Sequence, residues 1–142
     1  TTVARKFNNS VIYDIGTYVG QSALALSTNQ TNRVISYDIQ YLTSPPRVQR
    51  PSNVEFRIGD CFNDLENMLK SPLIFMDVDP HDGIFDYKFY NALVDNNYKG
   101  ILILDDIHLN PKMQKFWDEI KEEKYDYTNL GHYSGTGLVV FK

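Results

Sequence analysis

Residues 11–27, VIYDIGTYVGQSALALS, constrain the fold more than any other stretch of this chain. Val11–Ile15 is apolar and β-branched, the composition of a strand buried on both faces of a sheet. Gly16 and Gly20 break that run, and Ser22–Ser27 reads as a short Ala/Leu helix. A strand that turns on glycines into a helix aims backbone N–H groups and a positive helix end at one place. That suits a ligand carrying negative charge or a carboxylate. Glycine serves because a Cβ would obstruct close approach of the backbone to the ligand. The spacing departs from the GxGxxG of nicotinamide-binding folds, since Thr17, Tyr18 and Val19 all lie between the two glycines.

The rest of the chain alternates in the same way. Arg33–Asp38 (RVISYD) is a second strand ending in an acid, where nucleotide-binding βαβ units place a carboxylate for ribose hydroxyls. Pro45, Pro46 and Pro51 forbid a regular helix over Tyr41–Ser52, so a loop or single turn is expected there. Asn53–Ile58 is the third strand. Asp60 follows it, fitted either to meet an adenine amino group or to cap a helix over Asn63–Lys70. Pro72–Val78 is the fourth strand, running into the polar turn Asp79-Pro80-His81-Asp82-Gly83. Phe85, Phe89, Ala92, Leu93 and Asn96 then recur at helical spacing, a core stripe. Ile101–Leu104 is the fifth strand and leads into Asp105-Asp106-Ile107-His108. Asn110-Pro111 looks like an N-cap followed by an N1 proline, and Met113, Phe116, Trp117 and Ile120 form one helix face. Tyr125–Asn129 and Gly137–Phe141 make two final strands around a Gly/Ser turn, the second read as a late antiparallel insertion, common as an edge addition to α/β sheets. The pattern predicts an α/β fold: a Rossmann-like, doubly wound, mostly parallel seven-stranded sheet. Its last strand is antiparallel, helices cover both faces, and a single domain spans 1–142.

Composition narrows the partners. A net charge of −4 and a pI near 5.2 argue against a nucleic-acid surface. One cysteine, Cys61, excludes an intramolecular disulfide framework and fits a reducing compartment. No apolar run reaches the length of a membrane span and no signal-peptide pattern opens the chain, so a cytoplasmic location is expected. The first strand begins close to Thr1, and further residues are expected upstream. The expected partner is a small molecule, with self-association left open.

Ligands of open α/β sheets bind outside the carboxyl ends of the strands. Asp14, Asp38, Asp60, Asp77 and the pair Asp105-Asp106 all fall at such ends. If the fourth and fifth strands are neighbours, Asp77, Asp105 and Asp106 come together. They would repel one another unless protonated, hydrogen-bonded or neutralised by a cation. Oxygen-only donors suit a hard divalent ion, Mg²⁺ before Ca²⁺ or Mn²⁺. The plainer alternative has Asp105 or Asp106 capping a loop while Asp77 stays solvated.

In order, DIGTYVGQS, VISYDI, RIGDCF, LIFMDVDPHDG and GILILDDIH resemble the motifs of class I S-adenosylmethionine-dependent methyltransferases. Within that superfamily the chain most resembles the metal-dependent small-molecule O-methyltransferases of the catechol and macrocin types. Their pattern is an acid after strand four and an Asp-Asp or Asp-Asn pair after strand five. The resemblance implies cofactor roles for Asp14, Gly16, Gly20, Ser22, Asp38 and Asp60, and metal roles for Asp77, Asp105 and Asp106. It implies transfer of a methyl group from S-adenosylmethionine to a hydroxyl of a small molecule. Mg²⁺ would lower that hydroxyl's pKa, and Asp79 or His81 would take its proton. His108 and His132 are weaker candidates. Two departures stand out: the proline-rich 41–52 stretch replaces a helix, and the N-terminal helices that cover cofactor and substrate are absent or very short. Two rival readings are a nucleotide-binding oxidoreductase and a non-catalytic, methyltransferase-like binding domain.

Overall fold

The apolar runs become strands in the computed structural model, which describes residues 2–40 and 51–142. The strands are β1 (Val11–Ile15), β2 (Arg33–Asp38), β3 (Val54–Ile58), β4 (Leu73–Met76), β5 (Gly100–Asp105), β6 (Glu123–Asp126) and β7 (Thr136–Phe141). The helices are α1 (Gln21–Leu26), α2 (Leu65–Met68), α3 (Ile84–Asp95) and α4 (Pro111–Glu119). All seven strands join one sheet in the order β3-β2-β1-β4-β5-β7-β6. β1, β2 and β3 pair in parallel, whereas β7 runs antiparallel to both β5 and β6. This is the expected α/β sheet with its antiparallel final strand. The proline-rich stretch expected as a loop lies almost wholly outside the described residues.

The chain forms two compact units, Thr1–Ile74 and Phe75–Lys142. In the first, Ile12, Tyr13, Ile15, Val34 and Ile35 from β1 and β2 are buried with Ala23 and Leu26 of α1. The helix expected over Asn63–Lys70 is shorter: a 3-10 turn, Cys61–Asp64, leads into the single turn of α2. Two polar groups explain this. Asp60 starts the turn early by accepting from Phe62 N at 2.9 Å. Asp64 is then held by Tyr13 Oη, Tyr37 Oη and Arg57 Nη1 at 2.9, 3.2 and 2.8 Å. The carboxylate thus fixes the turn against the side chains of β1, β2 and β3.

In the second unit, the α4 face read from the sequence is the buried one. Met113, Phe116, Trp117 and Ile120 are all at most 5 % exposed, so the apolar stripe supplies core. Asn110 caps α4, its Oδ1 accepting from Lys112 N and Met113 N at 2.9 and 3.1 Å. β6 ends three residues before the expected Asn129. Asp126 Oδ1 accepts from Thr128 N at 2.9 Å and turns the chain into the 3-10 turn Thr128–Leu130.

β7 crosses Trp117 at Gly137. A Cβ there would lie 2.5 Å from Trp117 Cζ3 and 3.1 Å from Ile107 Cγ2. Neither buried ring nor branched chain can move aside without disturbing the core, so overpacking governs the site. Gly137→Ala is expected to destabilise the protein by about 1–3 kcal/mol, read as a lower denaturation midpoint with an unchanged slope.

Candidate functional site

In the first unit the glycine turn is built from β1 outward. Gly16 (φ 102°) and Gly20 (φ 83°) both occupy the left-handed region, where a Cβ would be strained. Gly16 N donates to Tyr37 O at 2.9 Å and Gly20 N to Thr17 O at 2.7 Å, closing the turn against β2. Asp38, at the end of β2, accepts from Tyr18 N through Oδ2 at 3.0 Å and from Gln40 N through Oδ1 at 3.4 Å. Asp14 is fully buried and accepts from Ser36 Oγ at 2.5 Å. Ser22 sits half-exposed in the first turn of α1. That helix is only six residues long, so the backbone amides of the turn matter more than its dipole. Asp60, exposed after β3, performs the capping role allowed for it; Gly59 N donates to Asp38 O at 2.8 Å beside it. The structure therefore gathers Gly16, Gly20 and Asp38 into one cradle, with Asp60 adjoining through Gly59.

In the second unit the residues after β4 and β5 converge with two histidines. Neighbouring strand residues ordinarily point to opposite faces. Asp106 adopts φ 58°, a conformation Asp tolerates, and this turn lets Asp105 and Asp106 serve one cluster. His81 Nε2 lies 3.7 Å from Asp77 Oδ1, 3.4 Å from Asp79 Oδ1 and 3.3 Å from Asp106 Oδ2. Asn110 secures this turn as well, its Nδ2 donating to His81 O at 2.8 Å. His132 Nε2 lies 2.8 Å from Asp105 Oδ1. Two groups have ligand atoms all within 4.8 Å of one another: Asp77, His81 and Asp106, and Asp105, Asp106 and His132. The three acids expected to hold a metal thus fall into two overlapping sets that share Asp106. Each set contains an imidazole. Carboxylates and imidazoles are ordinary donors to divalent ions, so the residues fit such an ion.

Sequence reasoning placed His132 among the weak candidates, yet it stands in this cluster. The signal was the antiparallel pairing of the final strand, which carries the preceding turn to the end of β5. His108 lies apart, between Gln114 Oε1 at 2.5 Å and Asp126 Oδ2 at 2.7 Å. A cleft of about 470 Å³ also opens in the first unit, beside Val11 and Arg33 at the opening ends of β1 and β2. Its cations are already paired, Arg57 with Asp64, Arg33 with Glu55 and Lys70 with Glu66, and it lies away from the glycine turn.

The sequence matches no protein-family model and no curated protein. Solved structures show what the chain is similar to. A Staphylococcus aureus protein assigned as a caffeoyl-CoA O-methyltransferase superposes with a TM-score of 0.67 at 14% identity, covering 99% of this chain and 80% of that one. A precorrin 8w decarboxylase from Methanobacterium thermoautotrophicum gives 0.64 at 16% identity over 99% and 86%. Human methyltransferase-like protein 13, in complex with SAH, gives 0.60 at 12% identity over 98% and 74%. At these identities the likeness shows the fold, the Rossmann-like sheet that these structures share. Among the described residues no helix is long and apolar enough to cross a membrane.

Burial is the main cause that pushes the Asp77 carboxyl up to about 6 from its ordinary 3.8. The Asp105 carboxylate adds to this, His81 opposes it, and Asp106 and Asp79 add more. Because the folded value exceeds the unfolded one, the ionised carboxylate opposes folding. That penalty is absent below about pH 4 and complete above about pH 6. Asp77 keeps 40% of its side-chain exposure, so screening limits the effect to about 1 kcal/mol, or about 3 °C in melting temperature. Chelator-treated Asp77→Asn is expected to melt above the parent at pH 7.5, with the gap closing by pH 4. No gap at pH 7.5 would leave Asp77 solvated and outside the cluster.

Proposed function

We propose that this chain transfers a methyl group from S-adenosylmethionine to a hydroxyl of a small molecule. The observation that supports the reading most is the glycine turn tied to Asp38. The turn leaves no side chain at Gly16 and Gly20, and its middle residue is anchored by the same carboxylate that would receive ribose hydroxyls. Each carboxylate oxygen can accept more than one hydrogen bond, so holding Tyr18 N leaves Asp38 able to accept from a ligand. The likeness in fold to a methyltransferase-like protein in complex with SAH points the same way.

S-adenosylmethionine supplies a methyl group on a sulfonium, and this chain's residues bind it and prepare the acceptor. In the reading, Asp38 receives the ribose hydroxyls, Asp60 meets the adenine amino group, and Gly16, Gly20 and Ser22 leave room for the backbone to approach. Asp14 is a positioning residue, because it is buried behind the turn. Asp106, with Asp77 on one side and Asp105 on the other, would hold a divalent cation, Mg²⁺ in the reading from sequence, which would lower the acceptor hydroxyl's pKa. His81, with its side chain 12% exposed among three carboxylates, takes the proton. Asp79 is 85% exposed and stands second in that role.

The cofactor role is tested by Asp38→Ala. Hydrogen bonds to a charged acceptor are worth about 1.5–3 kcal/mol each, so S-adenosylmethionine affinity measured by calorimetry is expected to fall about tenfold or more while circular dichroism stays unchanged. Unchanged affinity would remove Asp38 from the site, and equal affinity of the parent for a nicotinamide dinucleotide would favour an oxidoreductase. Binding without turnover on a panel of hydroxylated acceptors would favour the non-catalytic domain. The metal role is tested by chelation, which is expected to lower the melting temperature by ligand linkage. The double change Asp105→Asn, Asp106→Asn is expected to abolish that sensitivity. If chelator and added Mg²⁺ leave stability and transfer untouched, the three acids hold no cation.

A further inference from the structure

The turn between β6 and β7 is pinned to the end of β5. In the β5–β7 pairing Asp105 faces Thr136, and backbone bonds extend beyond the strand. Ile107 N donates to Gly135 O at 3.3 Å and His108 N to Ser134 O at 2.7 Å. With the turn so fixed, His132 presents Nε2 to Asp105 Oδ1 at 2.8 Å, while its Nδ1 lies 3.9 Å from Asp106 Oδ1. The same Nδ1 is 2.6 Å from the hydroxyl of Ser134, which is only 5 % exposed. Asp106 turns its second oxygen, Oδ2, towards His81 instead. The two histidines therefore address different oxygens of one carboxylate.

We propose that His132 is a nitrogen ligand, and that Asp105, Asp106 and His132 form a mixed nitrogen–oxygen centre selective for a borderline divalent transition ion such as Co²⁺ or Zn²⁺ over Mg²⁺. This rests on the divalent-cation reading above and revises its choice of ion. A ligating histidine characteristically gives its other ring N–H to an oxygen that fixes the ring's orientation, and the buried Ser134 hydroxyl is placed for that task. With Nδ1–H given to Ser134, the Nε2 lone pair faces a carboxylate oxygen at 2.8 Å. In the other tautomer Nε2–H donates to Asp105 Oδ1, so a cation binds here by taking the place of that proton while Nδ1–H stays on Ser134. Imidazole suits Zn²⁺ and its neighbours, whereas Mg²⁺ keeps to oxygen donors and water. Solvent or an acceptor oxygen would complete the shell.

The test titrates the chelator-treated chain with Co²⁺ alone, followed by visible absorption, and with Zn²⁺ and Mg²⁺ alone by calorimetry. Transition ions outbind Mg²⁺ at most sites containing nitrogen, so the deciding result is the response to a variant. His132→Ala is expected to weaken Co²⁺ about 10–100-fold and leave Mg²⁺ within about twofold, and Ser134→Ala to weaken Co²⁺ by less. His81→Ala is expected to keep Co²⁺ affinity, since His81 belongs to the other group. Metal-free melting temperatures show that each variant folds; if His132→Ala falls short, His132→Gln replaces it. Co²⁺ affinity unchanged in His132→Ala, or lost in His81→Ala alone, would overturn the proposal. So would Mg²⁺ binding as tightly as Co²⁺. S-adenosylmethionine calorimetry on the same samples separates the two readings. Retained cofactor binding without the metal response sinks this inference alone, and a parent chain that fails to bind the cofactor sinks the methyl-transfer reading.

Discussion

Asp14 is a carboxylate with no exposed surface, and a buried carboxylate has to be met by hydrogen-bond donors where it lies. Ser36, equally buried on the neighbouring strand, donates its single hydroxyl hydrogen to Asp14 Oδ2 at 2.5 Å. Having spent that hydrogen, Ser36 can only accept in its 2.7 Å contact with Thr17 Oγ1, so Thr17 is the donor there. The chain Thr17–Ser36–Asp14 consequently joins the glycine turn, β2 and β1 through buried groups. Outside it, Gly16 N reaches Tyr37 O and Tyr18 N reaches Asp38. The turn is held at three successive residues by partners on the adjacent strand. A loop ordered in this way gives up little conformational entropy when a ligand arrives, and that is the physical content of calling it a binding turn.

Much of this was legible because the signals are local. A β-branched run broken by two glycines admits few conformations. An Asn-Pro pair ahead of an i, i+3, i+4, i+7 apolar stripe sets both the start of α4 and its buried face. The acids at the strand ends were legible for the same reason, since strand boundaries follow hydrophobicity. Where a boundary depended on side chains meeting across the fold, local signals failed. Asp64 reads as an ordinary helix residue, yet Tyr13, Tyr37 and Arg57 hold it in a turn. β6 stops at Asp126 because its side chain binds Thr128, although the tyrosines on either side, Tyr125 and Tyr127, favour a longer strand.

His132 was hidden for a different reason. Nothing in the sequence near it advertises a ligand: it lies in a Gly/Ser turn, and its neighbour Tyr133 is 88% exposed. Its position follows from register. Once Thr136 faces Asp105, the turn four residues earlier has to fold back over the end of β5. A one-residue change in register would put the other face of β7 towards the core, where Val139 and Phe141 now lie, so the packing that buries these two side chains also fixes His132. Core and site are here set by one choice, and the sequence displays only the core half of it.

Charge explains why that half matters. Asp77, Asp79, Asp105 and Asp106 carry four formal negative charges when ionised, and His81 and His132 can contribute at most two positive ones. Four minus two leaves −2 even with both imidazoles protonated, and −4 with both neutral. Asp79 is exposed enough for water to screen it, but Asp105 and Asp106 keep only 20% and 18% of their side-chain exposure. Their repulsion is therefore felt inside the protein, where it is several-fold stronger than in bulk water. A second unit that folds with such a charge excess at one end of β4 and β5 either tolerates a loss of stability there or meets a cation. The imidazole of His132 distinguishes the two outcomes, because as a ligand it adds a donor, whereas as a protonated partner of Asp105 it would repel the same ion.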